Sequence, residues 1–336
     1  MDRILLGHGS GGRMMHQLIR EHIAPALAVK DLGDSAVVDF DGDARRLAFT
    51  TDSYVVSPLF FPGGNIGDLA VNGTVNDLAM VGAKPLYLTA GFIIEEGFPL
   101  EDLKKILSSM AAAAREAGVA IVAGDTKVVE RGKGDGIFIN TSGVGALTGD
   151  ISLGPQQIRP GDRVLISGSI GRHGIAVLAE RNGLAFDPPV LSDSAALNSL
   201  VSKLLDPPGA LRMMRDPTRG GVATTLKEMA TESGCAITIS ENLLPLSGGV
   251  KGACELLGLD PLYSANEGVL IAVVAHAAAT LLLHRMRGHL LGKEAAIIGE
   301  VSAGDERTSG MVLLKTVIGG TRIVDMLPGE QLPRIC

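Results

Sequence analysis

Apolar positions along this chain recur at two spacings, every second residue or every third and fourth, and the change from one to the other predicts the elements. Residues 101–117 give the clearest helix: Leu103, Ile106, Leu107, Met110, Ala114 and Ala117 form one stripe, and Gly118 ends it. A second helix is expected over 66–81, stopping near Gly82 with Pro85 beyond. Strands are expected over 36–38 and 47–50, joined by an acidic turn, and over 86–94, 119–123 and 137–144. Pro155, Pro160 and several glycines between 149 and 161 mark a domain boundary. A second series follows, with strands over 163–167, 236–240, 269–274 and 295–301 and helices over 174–181, 194–204 and 222–232. Residues 311–317 and 321–326 form a hairpin about Gly319-Gly320. The mixed order lacks a strict βαβ rhythm, so an α+β layered fold is expected rather than a doubly wound sheet. The organisation is then a glycine-rich N-terminal arm over 1–34, domains over 35–150 and 160–326, and a flexible tail over 327–336.

The arm opens with a possible strand at 4–6, then Gly7-His8-Gly9-Ser10-Gly11-Gly12, then a helical stretch over 14–23. Gly7 and Gly12 have the glycine spacing of a P-loop. Arg13-Met14 stands where Lys-Ser/Thr is needed for phosphate and magnesium, so the motif is a near miss. Such a loop can hold anions or form a mobile lid, and a plain flexible arm is as good a reading of these residues.

Composition narrows the classes. The chain has 336 residues, enough for two domains, and a net charge of −7 without a long basic run, which argues against a nucleic-acid groove. Trp is absent and aromatics are 3%, so there is little to stack bases upon. The apolar run over 269–283 contains His276 and Thr280 and falls short of a membrane span. No signal-peptide pattern is present, and a cytoplasmic protein is expected. Cys235, Cys254 and Cys336 are far apart, which disfavours a disulfide framework or a zinc knuckle.

Five aspartates stand at strand ends or beside glycine: Asp34, Asp52, Asp77, Asp125 and Asp216. Any one alone reads as a turn or cap residue. Five suggest hard oxygen ligands for magnesium, which usually bridges carboxylates to nucleotide phosphates. Asp68, Asn72 and Asn76 share one face of the helix over 66–81, and Asp77 points away from Asn72. Glu267 precedes a buried-looking strand, where burial raises a carboxyl pKa. Read alone, Glu267 is a turn residue and Lys127 a surface charge. The tail, Pro328-Gly-Glu-Gln-Leu-Pro333-Arg334-Ile335-Cys336, is polar, held extended by its prolines and reaches roughly 30 Å. Its terminal thiol is not a prenylation box.

Gly67-Asp-Leu-Ala-Val-Asn-Gly-Thr-Val-Asn-Asp-Leu-Ala-Met-Val-Gly-Ala-Lys-Pro85 resembles the signature of the aminoimidazole ribonucleotide synthetase-like (PurM-like) ATP-binding superfamily. Thr50-Thr51-Asp52, Ala123-Gly124-Asp125-Thr126 and Asp216-Pro-Thr-Arg-Gly-Gly221 follow in the same order. Within that superfamily, His8-Gly-Ser-Gly-Gly12 and Pro333-Arg-Ile-Cys336 resemble the HypE family of hydrogenase-maturation carbamoyl dehydratases. The resemblance implies a two-domain fold whose first domain binds ATP and pairs into a dimeric barrel. It implies that a carbamoyltransferase, HypF, loads Cys336. ATP then drives dehydration of the thiocarboxamide to a thiocyanate, and the cyano group passes to iron on a HypC–HypD complex.

Under this resemblance Cys336, Lys127 and Glu267 are catalytic. Asp34, Asp52, Asn72, Asp77, Asp125, Thr126, Asp216, Gly220 and Gly221 bind ATP, with Asp34, Asp52, Asp77 and Asp216 on Mg2+. The chemistry is coherent, because phosphorylating the amide oxygen turns it into a phosphate leaving group while a base removes the nitrogen protons. Two other readings remain for these residues: a small-molecule ATP-dependent synthetase or kinase, and a non-catalytic ATP-binding scaffold that presents its tail.

Overall fold

The computed structural model describes residues 12–18, 20–21, 36–39, 46–147, 149–329, 332 and 334–336. The strand expected at 4–6, the glycine loop up to residue 11 and Asp34 lie outside the described residues. Helix α1 (Arg13–Leu18) leads into strands β1 (Ala36–Asp39) and β2 (Arg46–Tyr54). The short strands β3 (Phe60–Phe61) and β4 (Gly64–Asn65) precede helix α2 (Ile66–Met80) and strand β5 (Lys84–Glu95). Helix α3 (Leu100–Ala117) then crosses to β6 (Ala120–Val129), and β7 (Ile137–Leu147) closes the domain.

The strands order as β1-β2-β7-β5-β6, antiparallel except for the β5–β6 pair, whose connection runs through α3. Inward residues Tyr54, Leu88, Ala90, Ile137 and Ile139 form one core with α2 and α3. The outer face carries exposed Phe49, Tyr87 and Ile93, and β6 lies open along the sheet edge.

Helix α2 is placed by its start. The Asn65 side chain accepts from Gly67 N–H at 2.8 Å, while Asn65 N–H donates to Asp68 at 2.7 Å, a reciprocal cap. Nearly every residue of α2 is buried, because it lies between the first sheet and the second domain. Asp68, Asn72 and Asn76 face the second domain and Asp77 turns to Thr50 of β2 at 2.8 Å, as the helix geometry requires.

The second domain begins with β8 (Arg163–Ile166), α4 (Arg172–Arg181), α5 (Asn198–Ser202), β9 (Leu211–Arg215) and α6 (Gly221–Ser233). It continues through β10 (Ala236–Ser240), α7 (Gly248–Leu257), β11 (Ile271–Val274), α8 (Ala279–Arg287), β12 (Ala296–Ser302), β13 (Val312–Lys315) and β14 (Thr321–Val324). Its sheet runs β14-β13-β10-β12-β8-β11-β9. One face packs on α6 through Val222, Leu226 and Met229. The other packs on Leu200, Leu204, Leu282 and Met286, and there the core takes in Ala79 and Met80 from α2. The two domains therefore share apolar packing.

The α+β layers are as the patterning implies, and three local elements differ from it. The helix expected over 194–204 shrinks to α5. Its first residues stay irregular because their backbone groups are committed elsewhere: Leu197 N–H donates to Asn76 at 2.8 Å, and Ala195 C=O accepts from Asn76 at 3.1 Å. Helix α7 was hidden by Gly248, Gly249 and Gly252, and β9 by its methionines, which carry little strand preference.

Asn76 is fully buried, and its amide serves Leu197 N–H, Ala195 C=O and Glu267 C=O. Asn76→Ala strands all three. The expected loss is about 3 kcal/mol of unfolding free energy, read from the urea midpoint. A midpoint equal to that of the parent chain would contradict this account of the domain junction.

Candidate active site

Four segments meet where the domains face each other: the end of β2, the loop before α6, the loop before β11 and the last residues of the chain. Period-two alternation sends Asp52 and Tyr54 to the inner face of β2. The Tyr54 ring is accommodated by Gly73, where a Cβ would sit 2.3 Å from its hydroxyl. At the start of α6, Gly220 and Gly221 have positive φ of 77° and 60°. A Cβ on Gly221 would lie 2.5 Å from Leu262 O, so this turn packs directly on the neighbouring backbone. Asn266 ties that turn to the loop before β11: its amide donates to Pro217 O at 2.8 Å and accepts from Gly171 N–H at 2.7 Å.

The resting place of the tail, open in the sequence, is inside the protein. Cys336 and Ile335 are buried and belong to the core that contains Tyr54 and Val56. Val55 N–H donates to a Cys336 main-chain oxygen at 3.1 Å, and His173 Nε2 donates to Ile335 O at 2.7 Å. Arg219, Gly220, Thr224 and Tyr263 line a cavity together with Leu332 and Ile335, so the tail closes the space at the start of α6.

The electrostatics identify what faces the thiol. Burial pushes the Cys336 thiol up to about 12; Arg219 opposes the shift, while Glu267, Asp52 and Asp216 add to it. Glu267 is held well above the carboxylate range by burial and by Asp216, Asp193 and Asp52, with Arg219 opposing. Among the described residues its Oε1 is buried without a hydrogen-bond partner. The Arg219 guanidinium lies 3.9 Å from Asp52. The Tyr54 phenol is raised by burial and then by Asp52 and Asp77. Asp193, pushed up to about 6 by burial, accepts from the backbone N–H of Glu267 at 3.3 Å and of Gly268 at 3.4 Å.

The structure thus gathers Asp52, Asp77, Asp216, Glu267 and Cys336, with Gly220 and Gly221 beside them. Asn72 donates to Ser194 at 3.0 Å at the domain junction. Asp125 and Lys127 are elsewhere. Asp125 is in register with Gly91, then Asn140, then Ser53, the row facing outward, whereas Asp52 is in register with inward Thr141. Lys127 pairs with Asp125 at 2.6 Å, both largely exposed. Within one chain, this pair faces away from the thiol. Thr126, on the same edge strand, is in register with Phe92 of β5.

Residues that the sequence reading passed over are Arg219, Tyr54, Asp193 and His173, while Asn76 was placed on a helix face without a role. Arg219 lay within the Asp216-Pro-Thr-Arg-Gly-Gly221 motif, and Tyr54 shares a face with Asp52 by alternation. Asp193 and His173 carried no local signal.

Among the described residues, no three His, Cys, Asp or Glu side chains converge on a metal site by themselves. The donor chemistry nonetheless fits magnesium nucleotide. Several carboxylates face one guanidinium, an imbalance that a divalent cation corrects, and magnesium completes its shell with phosphate oxygens.

Residues 32–147 match the AIR synthase related protein N-terminal domain, and residues 159–311 match the corresponding C-terminal domain. The chain is 55% identical to the carbamoyl dehydratase HypE of Cupriavidus necator, over 99% of this chain and 95% of that protein. A crystal structure of a HypE–HypF complex contains a chain with 52% identity and a TM-score of 0.86, over 92% of this chain and 99% of that one. A HypE crystal structure in complex with ATP has 48% identity and a TM-score of 0.84, over 99% and 100%.

His173 gives a pH test of the buried tail contact. Burial lowers it to about 4, below the roughly 6.5 of a free imidazole, so the unfolded chain takes up the proton first. Stability from neutral His173 is complete above pH 6.5 and is lost as pH falls toward 4, about 3 kcal/mol in all. Asp193 and Glu267, raised by burial, slope the other way over this window, so the parent is compared with His173→Gln: from about pH 7.5 to 4 the parent's urea midpoint should fall relative to the variant's. An unchanged slope in the variant would contradict the assignment.

Proposed function

This chain belongs to the HypE family of carbamoyl dehydratases within the AIR synthase related proteins, and from that premise we infer that it uses ATP to dehydrate an S-carbamoyl group on Cys336. The carrying observation is the thiol itself, buried at the chain's end against Arg219, Glu267, Asp52 and Asp216. A structural cysteine needs no such neighbours.

The thiocarboxamide oxygen takes the γ-phosphoryl group of ATP and leaves as phosphate. The carbon–oxygen bond breaks, the nitrogen loses both protons, and a thiocyanate forms with ADP as the other product. Glu267 is positioned to receive a nitrogen proton, its carboxyl aimed by Asn76 and Asp193 through its own backbone. Arg219 faces the charge that develops on oxygen. Asp52, Asp77 and Asp216, with Asp34, would hold magnesium, whose charge would offset the carboxylates that together with burial keep Glu267 protonated, leaving Glu267 free to accept a proton. Burial of the site excludes water, which would otherwise attack the activated carbon.

The same reading assigns HypF as the carbamoyl donor, a HypC–HypD complex as cyanide acceptor, and the cytoplasm as the location. Among the described residues, no helix is long and apolar enough to cross a membrane. A buried thiol is out of a transferase's reach, so the tail swings out for loading. Gly329, whose Cβ position has nothing within 4 Å, provides a hinge beside Pro328. Two chains pair through the outer sheet face, where Phe49, Tyr87 and Ile93 are exposed, and along the open edge strand β6, where Val122 and Val128 are exposed. On this reading Asp125, Thr126 and Lys127 act at that interface, toward the second copy's site.

Three outcomes test this. Cys336→Ala should keep ATP binding and gain no carbamoyl-derived mass after incubation with HypF. Glu267→Gln should still be carbamoylated, yet form thiocyanate about a hundredfold more slowly by mass spectrometry. Dehydration at the parental rate in that variant would remove Glu267 from the mechanism. Sedimentation should give a dimer for the parent chain and a monomer for Tyr87→Asp/Ile93→Asp, and a monomeric parent at micromolar concentration would defeat the pairing.

A further inference from the structure

The last three residues are held the way a separate peptide is held. Val55 N–H donates to a Cys336 oxygen at 3.1 Å, and Ser57 N–H donates to Arg334 O at 3.2 Å. Donors two residues apart meet acceptors two residues apart in antiparallel order, as body groups do when they read the main chain of a peptide, although left-handed Arg334 keeps the segment from being a regular strand. Arg181 reinforces it, donating through Nη2 to Arg334 O and through Nε to Ser57 O, both at 2.8 Å. His173 takes the remaining carbonyl, that of Ile335. Its Nε2 carries the proton because the partner is a carbonyl, and Ser192 then donates to Nδ1 at 2.9 Å. Each of the three residues therefore has a main-chain oxygen bound by the body of the protein.

The side chains are read as well. Arg334 Nε donates to Val55 O at 2.9 Å, and its Nη1 pairs with Asp135. Ile335 enters the apolar core beside Tyr54 and Val56. Arg334 has a φ of 51°, a left-handed conformation that a residue with a Cβ rarely adopts. The surrounding contacts hold it there. All of the receptor groups, on Val55, Ser57, Asp135, His173 and Arg181, belong to the folded body, so none requires the ligand to be joined to it through residue 327.

We propose that this groove is a peptide site: it accepts a separate peptide ending in Arg-Ile-Cys whose thiol is S-carbamoylated, and dehydrates it in trans. The arginine two residues before the end is the specificity element, read by Asp135 and by the Val55 carbonyl. The reaction is the one above, with phosphate leaving the same carbon, and the inference rests on that reading.

The test uses the full chain as host. In Arg334→Ala/Cys336→Ala the chain's own tail loses its latch and its thiol. A second host, Cys336→Ala, keeps the latch and guards against a folding failure in the first. The probes are synthetic S-carbamoyl Gln-Leu-Pro-Arg-Ile-Cys and the same peptide with alanine in place of arginine. Loss of one water is followed by mass spectrometry, with and without ATP and magnesium.

The double variant should convert the arginine peptide, only with ATP, at least about tenfold faster than the alanine peptide. The single variant should be slower, because its own tail competes at a high effective concentration. Equal rates for the two peptides, or equal rates in the two hosts, would overturn the proposal. So would failure of both hosts while the carbamoylated parent chain converts its own tail, since the tail would then be accepted only because it is tethered. If the parent chain also fails, the dehydratase reading falls and this proposal falls with it.

Discussion

The buried carboxamide of Asn76 fixes the relation between the two domains. It belongs to α2 of the first domain, yet its partners among the described residues lie in the second. Leaving those groups unpaired in a dry interior costs far more than the hydrogen bonds gain, so the domains pack in the register that satisfies them. One of the partners is the backbone of Glu267. Asp193 grips the same residue through its N–H, and Asn266 ties the adjacent turn to the loop that carries Asp216 and Arg219. The carboxyl of Glu267 is therefore aimed by main-chain anchors on both sides, while its Oε1 finds no partner among the described residues. A buried orphan of this kind marks a place prepared for something the chain itself does not supply.

That place carries more negative than positive charge. Asp52, Asp216 and Glu267 face Arg219, and the interior answers by keeping Glu267 protonated and the Cys336 thiol neutral. A thiolate here would add a further buried anion. The inward pose thus suits a neutral group such as an S-carbamoyl sulfur and opposes a reactive nucleophile. On the proposed reading, loading and dehydration would be separated by physical chemistry: the thiol would become nucleophilic where water solvates it and carry its cargo where water is excluded. The contacts of Arg334, Ile335 and the chain's final oxygen give the inward pose a defined geometry.

The sequence carried the local architecture. Helix α3 and its glycine stop and the Gly319-Gly320 hairpin follow from spacing and turn chemistry within a few residues. The split on α2 between Asp68, Asn72 and Asn76 on one side and Asp77 on the other was legible for the same reason, since helix geometry fixes it without reference to partners. Asp52 at the end of a strand and Cys336 at the end of a tail were visible as chemistry without a location.

Location came from contacts between residues far apart in the chain. Whether Lys127 faces the thiol depends on the register of β6 across β5, β7 and β2, and that register turns it outward. Residues 194–197 stay out of a helix because their backbone is claimed by Asn76, more than a hundred positions earlier. Tyr54, Asp193 and His173 became part of the site only when burial was added, and burial is decided by what distant segments pack above a residue. The sequence by itself determined the elements, the fold class and the inventory of reactive groups, because those depend on short-range periodicity and residue chemistry. Tertiary structure alone decided which groups meet, which are neutral and where the tail rests, because charge state and contact depend on desolvation by the whole chain.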